Sequence, residues 1–101
     1  MRDKKEGRGV LNMETGDTYN GEWRNGKKHG TGRYTFANQD YYEGEFAEGN
    51  RCGHGKYAWT DSSFYEGEWK KDKMNGQGTY RGNDGSTVRG LFVDDNLVEP
   101  E

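Results

Sequence analysis

The sequence predicts an all-β chain: an elongated, single-layer antiparallel β-meander of about eight short strands, twisted and curved. Three observations carry that expectation. Shifting the 101-residue chain by 23 positions lays it on itself. Within each half of the repeat, large rings and glycines alternate with polar residues, which is the period of a strand. No segment shows a 3.6-residue apolar period, and 17 glycines oppose helix along the whole chain.

The repeat is clearest in the column Gly21, Gly44, Gly67, Gly90. Two residues later stand Trp23, Phe46, Trp69 and Phe92; two residues earlier stand Tyr19, Tyr42, Tyr65 and then Val88. A second glycine pair recurs as Gly7/Gly9, Gly30/Gly32, Gly53/Gly55 and Gly76/Gly78. It is followed by Leu11 in the first copy and by Tyr34, Tyr57 and Tyr80 in the others, and a further column reads Met13, Phe36, Trp59. The chain therefore divides into a charged N-terminal arm (1–6), a repeat sheet (7–98) and an acidic tail (99–101). The sheet comprises a half repeat 7–18, whole repeats 19–41, 42–64 and 65–87, and a closing half 88–98. Turns are expected at 25–29 inside the repeat, at 37–40 between repeats, and at their copies.

A register follows as an expectation. If the first hairpin pairs residues summing to 53, Trp23 faces Gly30 and Gly21 faces Gly32. If the next connection pairs residues summing to 78, Phe46 faces Gly32 and Gly44 faces Tyr34. Rings would then lie directly across from glycines and cover bare backbone. On the other side, Arg33 would face Glu45 and Lys56 would face Glu68, each favouring the pairing by roughly 0.2–1 kcal/mol.

Composition sets the outer limits. Apolar residues are 28% of the chain and mean hydropathy is −1.40, values that verge on disorder. Aromatics at 14% and a single proline argue for a thin aromatic core instead. The start of the chain lacks the apolar stretch of a signal peptide. No run approaches the length of a membrane helix, and the single cysteine, Cys52, forms no internal disulfide. An intracellular, cytoplasmic protein is expected.

On this reading one face of the sheet carries Tyr19, Trp23, Tyr34, Phe36, Tyr42, Phe46, Tyr57, Trp59, Tyr65, Trp69, Tyr80 and Phe92. The opposite face is charged. The rings can pack on one another and on the glycine backbone, or part of the face can dock a peptide or helix of a partner. The loops inside the repeats bring Arg24, Lys27, Lys28, Arg51, Lys70, Lys71 and Lys73 to one long edge, against Glu48 and Asp72. That basic edge is either a set of solvated loops or a rail for anionic lipid or an acidic partner. The other edge is acidic, with Glu14, Asp17, Asp40, Asp61 and Asp84. The open terminal strands leave head-to-tail self-association as a further expectation.

The residues with catalytic or metal-binding chemistry form no recognisable pattern. His29, Cys52 and His54 do not converge at zinc-ligand distances on such a sheet. Ser62, Ser63 and Ser86 lack a His–Asp set. The Gly-x-Gly pairs precede no helix. No catalytic residue, metal or cofactor is assigned. A net charge of −3, with rings and charges on opposite faces, argues against nucleic acid.

The motif Tyr-x-Gly-x-Trp/Phe-x-x-Gly-x-x-x-Gly-x-Gly reads YNGEWRNGKKHGTG, YEGEFAEGNRCGHG and YEGEWKKDKMNGQG in three copies. It resembles the MORN repeat (membrane occupation and recognition nexus), with Asp72 in place of a turn glycine and Val88 in place of the last tyrosine. The resemblance runs from residue 7 to about 95. It makes Gly21, Gly30, Gly32, Gly44, Gly53, Gly55, Gly67, Gly76, Gly78 and Gly90 structural glycines. It implies a non-catalytic scaffold or adaptor binding one or more proteins of a larger cytoskeletal or ciliary assembly, such as an axonemal radial spoke of a flagellum. The alternative it implies is a peripheral membrane module binding anionic phospholipid through the basic edge. As a third reading the resemblance implies a regulatory module of a larger enzyme, since such arrays accompany enzyme domains in some relatives.

Overall fold

The structure, a computed structural model, describes residues 7–100. The N-terminal arm and the final residue lie outside the described residues. The described residues form nine strands: β1 Gly7–Asn12, β2 Thr18–Arg24, β3 Lys27–Thr35, β4 Tyr41–Ala47, β5 Asn50–Ala58, β6 Phe64–Lys70, β7 Lys73–Arg81, β8 Thr87–Val93 and β9 Asn96–Pro100. They make one open antiparallel sheet in chain order, with overall dimensions of 49 × 24 × 17 Å. The ninth strand is the addition to the expected meander. It pairs with β8 as far as Pro100, opposite Gly90.

The turns inside the repeats are tighter than expected. Only two residues connect β2 to β3, and both have positive φ: Asn25 at 52° and Gly26 at 78°. Their copies are Glu48–Gly49, Lys71–Asp72 and Asp94–Asp95. This is the type I′ geometry that matches strand twist, and Asp tolerates it, so Asp72 replaces glycine without disrupting the turn. Between repeats the chain closes a wider turn, in which Gln39 N–H donates to Phe36 O and Phe36 N–H to Asp40 O, both at 2.8 Å.

The register departs from the expected one in an informative way. Gly21 faces Gly32 and Tyr19 faces Tyr34, as the sum of 53 requires. Past Gly21 the ladder slips, and Trp23 faces Lys28 rather than Gly30. The next strand pair is also two residues off the expected sum: Gly32 faces Gly44, Tyr34 faces Tyr42 and Gly30 faces Phe46. The pattern recurs in every repeat. One glycine from each of β1 to β8 (Gly9, 21, 32, 44, 55, 67, 78 and 90) therefore lines up straight across the sheet. Arg33 faces Glu43 rather than Glu45, and Lys56 faces Glu66 rather than Glu68.

The slip is a bulge held by a carboxylate. At the slip, Thr31, His54 and Gln77 donate their backbone N–H groups to Glu22 (3.2 Å), Glu45 (3.4 Å) and Glu68 (2.7 Å). The preceding glycine, Gly30, Gly53 or Gly76, has positive φ, and any side chain there would run into the same glutamate. These glutamates are therefore bulge caps, which explains why they are not the cross-strand partners of Arg33 and Lys56.

Rings do cover the glycine row, but diagonally. The Tyr19 ring lies over Gly32, Tyr42 over Gly55 and Tyr65 over Gly78, so closely that a Cβ on any of these glycines would overlap the phenol. Each hydroxyl then donates to the carbonyl of the capping glutamate: Tyr19 to Glu22 O (2.8 Å), Tyr42 to Glu45 O and Tyr65 to Glu68 O (both 2.9 Å). Gly55→Ala should thus cost about 3 kcal/mol or prevent folding, because the phenol has nowhere to move. Gly49→Ala, at a turn with φ +89 and open space around it, should cost only about 1 kcal/mol of left-handed strain. Urea unfolding of the two variants checks this, and equal losses would contradict the assignment.

Candidate binding groove and basic edge

The twelve rings of the aromatic face split into two rows with different roles. The first row is the core. Tyr19, Tyr42 and Tyr65 are 0% exposed, and Trp23, Phe46, Trp69 and Phe92 are buried with them. These rings meet edge to face in a zigzag, Tyr19 against Trp23 at 5.0 Å and Phe46 at 5.2 Å, then Tyr42 against Phe46 and Trp69 at 5.1 Å, and Tyr65 against Trp69 at 5.3 Å and Phe92 at 4.9 Å. Such contacts add about 0.5–1.5 kcal/mol each beyond burial. The Trp69 indole N–H donates to Gly55 O at 3.0 Å, and that of Trp23 to Gly9 O at 3.2 Å. These seven rings are consumed by packing, which leaves the other five of the face to be considered for a partner.

The second row remains available. Tyr34, Phe36, Tyr57 and Trp59 are half-buried, and Tyr80 is exposed. They form a continuous ladder with centroid steps of 4.8, 5.5, 4.8 and 5.9 Å. Two members are pinned from the repeat before: Tyr34 O–H donates to Asp17 at 2.6 Å and Tyr57 O–H to Asp40 at 3.3 Å. The corresponding residue for Tyr80 is Ser63, which instead bonds Asp61, so the Tyr80 hydroxyl has no partner among the described residues.

Two cations assigned from sequence to the basic edge lie on the rings instead. The Lys28 ammonium sits 4.7 Å from the Tyr34 centroid and 5.7 Å from that of Phe46. The Arg51 guanidinium lies 4.8 Å from the Trp69 ring and 5.7 Å from that of Tyr57. The Arg51 stem and head are held by the turn of the next repeat: its Nε reaches Asp72 Oδ1 at 3.2 Å, and Nη2 donates to Asp72 O at 2.8 Å. Lys28 forms no salt bridge among the described residues; burial lowers its pKa, partly offset by the more distant Asp72 and Asp17 carboxylates. Together Lys28, Arg51, Tyr34 and Phe36 border an open cleft above Phe46.

A family model for the MORN repeat matches residues 19–41, 42–64 and 65–87, well over half of the chain. The chain belongs to the MORN-repeat family. Comparison with curated proteins found no match. MORN repeats are non-enzymatic modules that bind proteins or membranes.

Outside the groove, the MORN array leaves a reduced basic edge. Lys27 pairs with Glu48 at 3.6 Å. Lys70, Lys71 and Lys73 gather, exposed, around the β6–β7 turn beside Asp94, and Arg24 is exposed on its own turn. The acidic edge is largely structural. Asp17 and Asp40 also accept backbone N–H bonds from Ala37 (2.8 Å) and Thr60 (3.0 Å) of the following repeat. Asp61 and Asp84 close their own turns on Ser63 and Ser86. These inter-repeat staples were missed in the sequence, although a spacing of 17 residues from Asp to Tyr recurs in it. Cys52 is half-buried, and burial with the Glu45 charge pushes its thiol pKa up, the wrong direction for a nucleophile or metal ligand.

Burial, first, and neighbouring carboxylates, second, raise the phenol pKa of Tyr19 (beside Glu22) and Tyr65 (beside Glu68) to about 12. Tyr34 and Tyr57 rise to about 12 through burial and their bonds to Asp17 and Asp40, and burial raises Tyr42 as well. The folded chain therefore holds protons that the unfolded chain sheds near pH 10. That stabilisation is complete below about pH 10 and is lost as pH rises from there toward about 12. Urea unfolding at stepped pH should show the decline, with the phenolate resonances of these five tyrosines, followed by NMR, appearing together with loss of the β-sheet signal. Ionisation of any of these five phenols near pH 10 while the sheet stays intact would contradict it.

Proposed function

We propose that this MORN array is a non-catalytic scaffold that holds a partner protein on the second ring row, as part of a cytoskeletal or ciliary assembly. The observation that carries this reading is the division of the rings. A folding core needs the first row, whereas the ladder from Tyr34 to Tyr80 is only partly buried and Tyr80 is exposed. The Lys28 ammonium adds a charge beside that ladder that no salt bridge among the described residues ties down. Half-exposed rings on a rigid sheet flanked by a cation offer a partner both apolar anchors and a fixed polar contact. The cytoskeletal or ciliary setting rests on family resemblance alone.

A second reading is favoured by a separate feature, the exposed group Lys70, Lys71 and Lys73 on one turn. Basic residues close together attract anionic headgroups by about 1 kcal/mol each near a membrane surface. The two readings use different residues and separate cleanly. Capture of a native partner should fall at least about tenfold in Phe36→Ala/Trp59→Ala and stay unchanged in Lys70→Gln/Lys71→Gln/Lys73→Gln. Sedimentation with phosphatidylserine vesicles is the matching assay for the lipid reading. Vesicle binding that vanishes in the lysine variant, with capture indifferent to the ring variant, would replace the scaffold by the membrane module.

A further inference from the structure

The geometry of the ring ladder points to the conformation and chemistry of its occupant. We propose that the second ring row of this chain binds a proline-rich segment in the polyproline II conformation, running across the strands, with a carboxylate at its Lys28 end. This rests on the scaffold reading and adds the class of partner.

The first argument is commensurability. Equivalent rings, Tyr34, Tyr57 and Tyr80 or Phe36 and Trp59, recur every second strand, so their spacing is about 9.6 Å. A ligand lying along the ladder meets the same slot every 9.6 Å and must present the same side each time. Polyproline II completes a turn in three residues of ~3.1 Å, or about 9.3 Å. It therefore stays in register, falling about 0.6 Å behind over two repeats. An α-helix turns every 5.4 Å and is almost a quarter-turn out at the next slot. An extended strand repeats every ~6.8 Å and is nearly half a period out.

The second argument is hydrogen bonding. A polyproline II backbone makes no internal hydrogen bonds and offers its carbonyls to outside donors. The ladder presents two such donors, the Trp59 indole N–H and the Tyr80 O–H. Neither has a partner among the described residues, whereas both indoles of the core row are bonded within the sheet. The rings step 4.8–5.9 Å apart, three contacts tilted and the Trp59–Tyr80 contact edge-on, and aromatic-lined grooves of this kind take pyrrolidine rings.

The third argument is the change in chemistry along the column that flanks the ladder. Residue 28 and its copies read Lys28, Arg51, Met74, Leu97, each at the bulged position opposite a core ring. Arg51 is satisfied by Asp72. The groove thus has one cation without a direct salt bridge among the described residues, Lys28, which feels Asp72 and Asp17 only at longer range, at its β3 end and an apolar flank of Met74 and Leu97 toward β9. A ligand with a carboxylate at one end and apolar residues at the other matches that gradient.

The test titrates the full chain, by calorimetry, with three blocked 12-residue peptides carrying one terminal aspartate. The first has proline at every third position, the second has the same composition with proline irregularly spaced, and the third is an alanine-based helix. The spaced peptide should bind about tenfold or more tighter than either control. Tyr80→Phe, which keeps its ring, and Trp59→Phe, which keeps an aromatic ring of smaller size, lose one donor each and should each weaken it several-fold. Lys28→Gln should weaken the aspartate peptide and leave an asparagine version unchanged. Equal binding of the irregular peptide, tighter binding of the helix, or no binding of the spaced peptide at millimolar concentration overturns the proposal. If those results accompany native-partner capture that Phe36→Ala/Trp59→Ala abolishes, the scaffold reading stands and only the ligand class fails. If capture ignores the ring variant, the scaffold reading itself fails.

Discussion

The contact on which the rest of this structure depends is a tyrosine ring laid flat over a glycine of the neighbouring strand. A sheet with no second layer has nothing to bury its inner face against, and a chain of such low hydropathy has few residues to do it with. Tyr19, Tyr42 and Tyr65 meet that difficulty by covering Gly32, Gly55 and Gly78, where the absence of a side chain lets the phenol reach the backbone. The sheet thereby supplies its own second surface. Each hydroxyl is satisfied by the carbonyl of the glutamate that caps the bulge. Ring, glycine and bulge therefore form one unit, and the unit recurs every two strands.

That unit also decides what is left for function. Across the regular ladders between repeats, tyrosines of adjacent strands stand side by side, Tyr34 next to Tyr42 and Tyr57 next to Tyr65. Only one of each pair can fold onto the glycine row. The other is pushed outward, where Phe36 and Trp59 join it in the half-exposed ladder. The groove is in this sense a by-product of packing: the same alternation that closes the core sets aside a second row of rings at a fixed period. Asp17 and Asp40 tie that row to the preceding repeat, so its spacing is held by side-chain bonds as well as by the backbone ladder.

Much of the fold could be read from residue order, because the signals were columns. A 23-residue period with glycines and rings in fixed places leaves little choice but hairpins, and the pairing of Gly21 with Gly32 followed from it. The bulge could not be read, because Glu22, Glu45 and Glu68 look like ordinary solvent-facing charges. Their role depends on a glycine eight residues later with positive φ, a relation visible only once the strands are paired. The same limit applied to the cations. Lys28 and Arg51 sit at turns, where a solvated side chain is the simplest expectation. Long side chains lay their stems on apolar surface when one is near, and here the rings of the next strands are near. The division of twelve rings into core and groove was likewise hidden, since both rows share one face and one period.

The most direct measurement of that division is solvent exchange at the three indole N–H groups, followed by NMR on the unmodified protein. Trp23 and Trp69 belong to the core row and donate to backbone carbonyls, whereas Trp59 belongs to the ladder. The account predicts two indole protons protected by the folded sheet and one, that of Trp59, exchanging rapidly with water. Three indoles exchanging alike, or a protected Trp59, would mean that the rings form a single continuous core and that no second row is set aside.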